Sequence, residues 1–167
     1  MPLKKLTTLG LFTALSLAIY AVESAIPPLV PIPGIKLGLA NIITLILLQY
    51  GSLRDAALVL AARILLSSLL FGQLLSLAYS LTGGIFSLLV MFLISRLLHK
   101  KKAFLTGAAG GLAHNMGQLL VAFVLTATPG VLTYMPFLIL SGIITGFFTG
   151  LVTIFLPPAL RRLGFQK

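Results

Sequence analysis

The sequence predicts an all-α integral membrane protein, a bundle of six transmembrane helices with both termini in the cytoplasm. Three observations support this fold class. The 167 residues are 59% hydrophobic and only 8% charged, whereas a soluble domain carries about a quarter charged residues. The apolar residues form six stretches, separated by proline, glycine or basic residues. Most basic residues fall between alternate stretches, as expected for loops on one side of a membrane.

Six spans of about 20 residues would occupy about 120 positions, so we expect residues 1–167 to form a single membrane domain. We expect no cleavable signal peptide, because the first apolar stretch is long and no small-residue cleavage pattern follows it. In chain order, the predicted spans are 7–25, 37–50, 55–71, 74–98, 104–127 and 133–156.

Each predicted span ends at residues that stop a helix. The first is followed by the proline-rich stretch 26–34, where prolines remove backbone donors and block helix continuation. We expect that stretch to be an extended loop, which lies at the membrane surface or folds back over the bundle. The second span is short and ends at Gly51, and the third ends at Gly72. The fourth closes on a run of lysines, the fifth on a Thr-Pro-Gly sequence and the sixth on a proline pair.

The basic residues orient the bundle. With the N-terminus inside, ten of the twelve Lys and Arg residues lie on the cytoplasmic side, in agreement with the positive-inside rule. A nucleic-acid interface would need its charge on one soluble face with aromatic residues nearby, so we expect no nucleic-acid partner. Attraction to anionic lipid of the bilayer is a secondary effect. The ten residues are Lys4, Lys5, Arg54, Arg96, Lys100, Lys101, Lys102, Arg161, Arg162 and Lys167.

Acidic residues are scarce. Glu23 and Asp55 are the only two, and the chain has no cysteine. Most acid–base and metal-dependent mechanisms therefore lack the side chains they need, and disulfides and thiol nucleophiles are excluded. We expect no catalytic residue, no metal and no cofactor.

The charged residues within or beside the spans are candidate functional residues. Arg63, near the middle of the third span, would cost about 3 kcal/mol there without a partner or water. Glu23 is the carboxylate within its reach, and Lys36 competes for that carboxylate. A Glu23–Arg63 ion pair would either fix the register of two helices or contact a ligand.

The fifth span carries a second polar group of residues. His114 and Gln118 are four residues apart and share a helix face, while Asn115 points about a quarter-turn away. Gly110 and Gly111 lie beneath this face and would let a ligand approach. Hydrogen bonding between helices is the alternative, worth about 0.6 kcal/mol per bond in bilayers. Asn41 and Gln73 are further polar candidates for a small-molecule cavity.

Small residues recur at four-residue spacing, which permits close approach of helix backbones in lipid. Gly107 and Gly111 in the fifth span, and Gly142 and Gly146 in the sixth, favour packing within the bundle. Ala14 and Ala18 in the first span could instead dock on a separate membrane protein.

Three segments then indicate a family. Residues 31–41 (PIPGIKLGLAN), 67–72 (SSLLFG) and 113–118 (AHNMGQ) resemble the Gx transporter family, which is also labelled heptaprenyl diphosphate synthase component I. That family is similar to the substrate-binding S-components of energy-coupling factor (ECF) transporters, six-helix proteins of prokaryotic plasma membranes. The resemblance implies that Ala14 and Ala18 dock on a transmembrane coupling subunit. It also implies that the loop around 27–33 covers the pocket and that ATPase subunits supply the energy.

Two functions remain open. The first is a substrate-binding subunit for uptake of a small molecule, energised by other chains, because this chain has no G-x-x-x-x-G-K-[ST] loop. The second is a non-catalytic membrane accessory of isoprenoid or quinone synthesis, because the single aspartate cannot build the magnesium site that prenyl elongation requires. A stand-alone carrier would be expected to show an internal repeat. The candidate substrate-binding residues are Glu23, Lys36, Asn41, Arg63, Gln73, His114, Asn115 and Gln118.

Overall fold

The computed structural model of the protein describes residues 3–27, 35–71, 74–98 and 102–156. These residues form six α-helices and one 3-10 helix, Pro129–Tyr134, and contain no β-strand. The all-helical fold class is therefore confirmed, and one α-helix lies at each predicted span. The largest differences from the predicted bounds are four residues, at the starts of α1 and α2. The helices are α1 (Leu3–Ala25), α2 (Asn41–Tyr50), α3 (Leu53–Phe71), α4 (Leu74–Leu97), α5 (Ala103–Thr126) and α6 (Met135–Phe155).

The chain is a membrane protein by the length and composition of its helices. α2 has only ten residues, or about 15 Å of helix, half of the roughly 30 Å apolar core of a bilayer. α3 has 19 residues but includes three charged ones. In the described part of the chain, the segments long and apolar enough to cross a membrane are Leu3–Ala25, Leu75–Leu97, Ala103–Thr126 and Pro129–Phe155.

The short helix α2 lies in the interior of the bundle. It contacts all five other α-helices, and seven of its ten residues are buried. Non-helical backbone at membrane depth is tolerated only where protein or a cavity surrounds it, because lipid cannot satisfy free N–H and C=O groups. Residues 35–40, which precede α2, are not helical. At Lys36 a protein group satisfies the free backbone N–H, which donates to Gln118 Oε1 at 3.1 Å. Interior placement thus explains how a short helix fits a membrane bundle.

Glycines join α5 and α6 backbone to backbone. A Cβ atom built on Gly142 would lie 2.6 Å from the carbonyl oxygen of Gly111, and one on Gly107 or Gly146 would collide with the opposite backbone. The small residues of these two helices therefore serve packing within the bundle. The idea that Gly110 and Gly111 leave room for a ligand is wrong, because Gly110 faces the Met91 side chain of α4 and Gly111 faces α6.

Basic residues gather at one end of the bundle, which we call the basic end. Lys5 Nζ of α1 pairs with Asp55 Oδ1 at 2.6 Å. Among the described residues, this is the one ion pair with an N···O distance within 4 Å. Asp55 also accepts a hydrogen bond from the Ser52 hydroxyl and donates its backbone N–H back to it, a capping arrangement that starts α3. The basic end holds Lys4, Lys5, Arg54, Arg96 and Lys102. Five further basic residues, Lys100, Lys101, Arg161, Arg162 and Lys167, lie outside the described ranges.

Two apolar clusters enclose the polar middle of the bundle. The cluster towards the basic end joins α1, α2 and α3 through residues such as Phe12, Leu47 and Val59. The cluster towards the opposite end joins α4, α5 and α6 around Tyr79, Leu119 and Leu138. Polar side chains on α1, α2, α3 and α5 meet where these clusters end.

Candidate functional site

A polar cavity lies where the end of α1, the start of α2 and the middle of α3, α4 and α5 meet. It measures about 10 Å³, room for roughly one water molecule. The structure brings six of the eight residues predicted from the sequence to this cavity. It is lined by Tyr20, Glu23, Lys36, Gly38, Ala40, Asn41, Arg63, Ser80, His114 and Gln118.

The Glu23 carboxylate is not paired with Arg63, so that hypothesis is wrong. Its two oxygens accept hydrogen bonds from the backbone N–H groups of Gly38 at 2.6 Å and Leu39 at 3.1 Å. These donors precede the N-terminus of α2, where unpaired N–H groups and the helix dipole favour a negative charge. Glu23, only 4% exposed, therefore ties α1 to the entry of α2.

Gln118 and His114 form a second connection to the same segment. Gln118 Oε1 accepts the backbone N–H of Lys36, and Gln118 Nε2 lies 2.9 Å from His114 Nε2. Because the amide oxygen is already an acceptor, the amide NH₂ group donates to the ring. His114 Nε2 must then be an acceptor, which places the ring proton on Nδ1 and makes the imidazole neutral.

The ring of His114 sits in a slot between two glycines. A Cβ atom at Gly38 would lie 2.6 Å from His114 Cδ2, and one at Gly83 of α4 would lie 2.8 Å from His114 Nδ1. Gly38 also has φ of +81°, a conformation that L side chains rarely adopt. The orientation of His114 thus depends on glycine at both positions.

Tyr20 is a cavity residue that the sequence analysis missed. Lys36 Nζ lies 3.4 Å from the centre of its ring, and the Arg63 guanidinium carbon lies 5.8 Å from it. The Tyr20 hydroxyl is 2.8 Å from Ser76 Oγ of α4. The sequence spacing could have predicted it, because Tyr20 precedes Glu23 by three residues and therefore lies on the same face of α1.

Arg63 and Asn41 reach the cavity with unused hydrogen-bonding groups. Both side chains are 2% exposed. Arg63 Nε, Asn41 Nδ2 and Asn41 Oδ1 have no hydrogen-bond partner in the structure. A buried polar atom left without a partner costs about 1–3 kcal/mol. These atoms are therefore where a polar molecule would be stabilised most.

Asn115, a predicted site residue, does not line the cavity. Asn115 points to α6, where its Nδ2 donates to the Leu138 carbonyl at 2.8 Å and approaches Ser141 Oγ at 3.0 Å. Asn115 thus forms a hydrogen bond between helices, which was the alternative to contact with a ligand. Gln73 lies outside the described residues, as do positions 28–34 of the proline-rich loop. In the described ranges, no three His, Cys, Asp or Glu residues converge as metal ligands.

The two alanines predicted to meet a partner lie on the outside of α1. Both Ala14 and Ala18 are exposed, whereas Phe12, Ser16 and Tyr20 of the same helix are buried. The alanine pair is therefore not used for packing within the described bundle.

A second cavity of about 420 Å³ opens at the basic end. It lies between the turn from α2 to α3 and the last turns of α4, and its polar lining includes Gln49, Ser52, Ser95 and Arg96. Gln49 is buried, and its Oε1 atom has no hydrogen-bond partner. The sequence does not predict this cavity, because its polar residues are scattered over α2, the turn before α3 and the end of α4.

Comparison with known proteins gives one family. The family described as heptaprenyl diphosphate synthase component I matches residues 12–156, which include the whole of the central cavity. The match confirms the family resemblance of the three segments. No curated protein and no solved structure matches the chain.

Proposed function

The chain belongs to the heptaprenyl diphosphate synthase component I family, and we propose that it is a substrate-binding subunit for ATP-driven uptake of a small molecule. The observation that carries this proposal is the central cavity. Arg63 Nε and both polar atoms of the Asn41 amide have no partner there, and neither does His114 Nδ1, whereas Glu23 and Gln118 are hydrogen-bonded to the segment before α2. A bound polar molecule would satisfy these atoms, which protein groups leave unsatisfied.

The proposal includes a six-span topology for a single membrane domain. In this arrangement the basic end faces the cytoplasm, by the positive-inside rule, and both termini lie there. α2 and residues 35–40 cross together, because they are surrounded by other helices. The central cavity then lies towards the outer half of a prokaryotic plasma membrane, with Lys36 and Gly38 as its most exposed lining residues.

Energy for uptake would come from other chains. The sequence contains no nucleotide-binding loop, so this chain would work with a transmembrane coupling subunit and ATPase subunits, as ECF S-components do. Ala14 and Ala18 would form the docking surface, since they are exposed on α1 and small enough for close helix approach. The subunit would bind and deliver its substrate without chemical reaction.

A second function is favoured by the family description and by the cavity at the basic end. As a non-catalytic accessory of heptaprenyl diphosphate synthesis, the chain would hold a lipidic diphosphate for a separate synthase. Arg96 at that cavity is suited to a phosphate group near the membrane surface. The two functions thus use different cavities.

Substitution at the central cavity tests the first function. The purified protein is extracted from membranes, and retained small molecules are identified by native mass spectrometry. Arg63→Leu and His114→Leu should each weaken binding at least tenfold, about 1.4 kcal/mol. Arg54→Leu, at the exposed start of α3, is the matched control and should bind normally.

Copurification separates the two functions. Recovery of a coupling subunit with an ATPase supports uptake. Recovery of a prenyl synthase alone, with ligand lost on Arg96→Leu and retained on Arg63→Leu, would replace uptake by the accessory function.

A further inference from the structure

The central cavity carries an unbalanced charge. Of the described residues that line it, Lys36 and Arg63 are positive and Glu23 is negative. His114 is neutral, because its Nε2 atom accepts a hydrogen bond from the Gln118 amide. The lining therefore has one net positive charge.

The unbalanced charge belongs to Arg63. Lys36 is partly exposed, and its Nζ atom donates to Ser24 Oγ at 2.6 Å and lies on the ring of Tyr20. Arg63 is buried, has an unpartnered Nε atom and has no carboxylate within 4 Å. A buried charge without a directly paired counter-charge is strongly unfavourable. The cavity thus has a place for one negative charge beside Arg63.

Asn41 defines what should accompany that charge. Its Nδ2 atom offers a donor and its Oδ1 atom an acceptor, and neither has a protein partner. A group that satisfies both must itself accept and donate hydrogen bonds. An oxyanion alone would satisfy Nδ2 but leave Oδ1 unpaired.

From this arrangement we infer that the substrate is a small monoanion, with one singly charged oxyanion group against Arg63 and an adjacent hydrogen-bond donor facing Asn41. A 2-hydroxycarboxylate has this chemistry. A diphosphate does not, since its two or three negative charges would exceed the single positive charge available. The inference rests on the proposed function and names the substrate class of the same cavity.

The size of the cavity adds a requirement for entry. A space of about 10 Å³ cannot hold any molecule larger than water, so binding must displace a lining side chain. Lys36 is the candidate, because it is partly exposed and its side chain is held by one hydroxyl and one aromatic ring. Arg63 and Asn41 lie deeper and are buried.

Two measurements on the full chain test the inference. Native mass spectrometry identifies the charge class of any small molecule retained from the membrane. Thermal unfolding is then measured with lactate, its neutral amide lactamide, and inorganic diphosphate at equal concentrations. We expect a retained monoanion, or a rise in Tm with lactate that lactamide does not produce. The apparent affinity for lactate, obtained from the concentration dependence of Tm, should fall at least tenfold in Arg63→Leu. It should be partly retained in Arg63→Lys and unchanged in Arg54→Leu.

The outcomes distinguish this inference from the proposed function. A retained neutral, cationic or multiply charged molecule overturns the monoanion and leaves substrate binding intact. The same holds if lactamide or diphosphate stabilises the protein as much as lactate does. If no molecule is retained and no probe raises Tm in folded protein, binding at the central cavity is itself wrong.

Discussion

The carboxylate of Glu23 accepts a 2.6 Å hydrogen bond from the backbone N–H of Gly38. This bond joins the last turns of α1 to the segment that leads into α2, and Leu39 adds a second donor to the same carboxylate. The one acidic side chain beside the cavity is therefore used to shape it, and Arg63 is left without a carboxylate within 4 Å.

Glu23→Gln tests this role of the carboxylate. The glutamine can accept from one N–H group, but its NH₂ faces the other, so one hydrogen bond to a charged group is lost. We expect the free energy of unfolding to fall by about 2 kcal/mol, measured by chemical unfolding in detergent, together with weaker retention of ligand. Asp55→Asn removes the other carboxylate, at the basic end, and should leave ligand retention unchanged. Equal loss of ligand in both variants would contradict a specific role for Glu23.

Gly38→Ala tests the slot that holds the His114 ring. A Cβ atom at this position meets His114 Cδ2 at 2.6 Å and Asn41 Nδ2 at 2.9 Å, and the left-handed conformation adds roughly 1–2 kcal/mol. We expect ligand binding to be lost and thermal stability to fall. Gly10→Ala is the matched control, because a Cβ atom there has nothing within 4 Å and alanine favours the helix by about 1 kcal/mol. Normal binding by Gly38→Ala would show that the slot is not needed.

Gly146→Ala tests the backbone contact between α5 and α6. The added methyl group would collide with the Gly107 carbonyl and press on Ala108. Backbone on both sides cannot move as a side chain can, so we expect a loss of about 3 kcal/mol in unfolding free energy, the upper end of the usual cost of overpacking. Gly130→Ala in the 3-10 helix, where the nearest atom is 3.6 Å away, should be nearly neutral. Similar stability of the two variants would disprove close packing at this seam.

Gln118→Leu and Asn115→Leu separate a site residue from a packing residue. The first change leaves the Lys36 N–H and His114 Nε2 without partners, so ligand binding should fall at least tenfold. The second removes the bonds to Leu138 and Ser141 of α6 and should lower stability by about 1 kcal/mol with binding retained. Ligand titration and thermal unfolding of both variants provide the comparison. A reversed pattern would mean that Asn115, and not Gln118, belongs to the cavity.

Replacing Ala14 and Ala18 together by leucine tests the docking surface on α1. Both positions are exposed, so the bundle should fold and bind ligand normally while uptake into cells or proteoliposomes is lost. Ala61→Leu, at an exposed alanine of α3, should leave uptake unchanged. Normal uptake by the double variant would exclude this surface as the contact with the coupling subunit.

The sequence predicts which residues form the site better than it predicts their hydrogen bonds and ion pairs. Six of the eight candidates meet at one cavity, because ionisable and amide side chains in apolar helices turn away from lipid towards each other. The partner of Glu23 could not be predicted, since the competing donors are backbone N–H groups of a non-helical segment. Tyr20 was missed because an aromatic residue in a membrane helix is ordinarily apolar surface. Asn115 was included because it adjoins His114 in sequence, although the helix turns it towards α6.

The sequence by itself determined the all-helical class, the six helical segments, the membrane setting and the family. Each of these properties depends on composition, local periodicity or the order of motifs, and these can be read from residues that are close together along the chain. Only the tertiary structure decided that α2 is an interior helix, that glycines join α5 to α6, and that Arg63 has no carboxylate partner. Those features depend on distances between residues far apart in the chain. In a bundle where few polar groups compete, the two backbone hydrogen bonds to Glu23 leave Arg63 without a carboxylate within 4 Å.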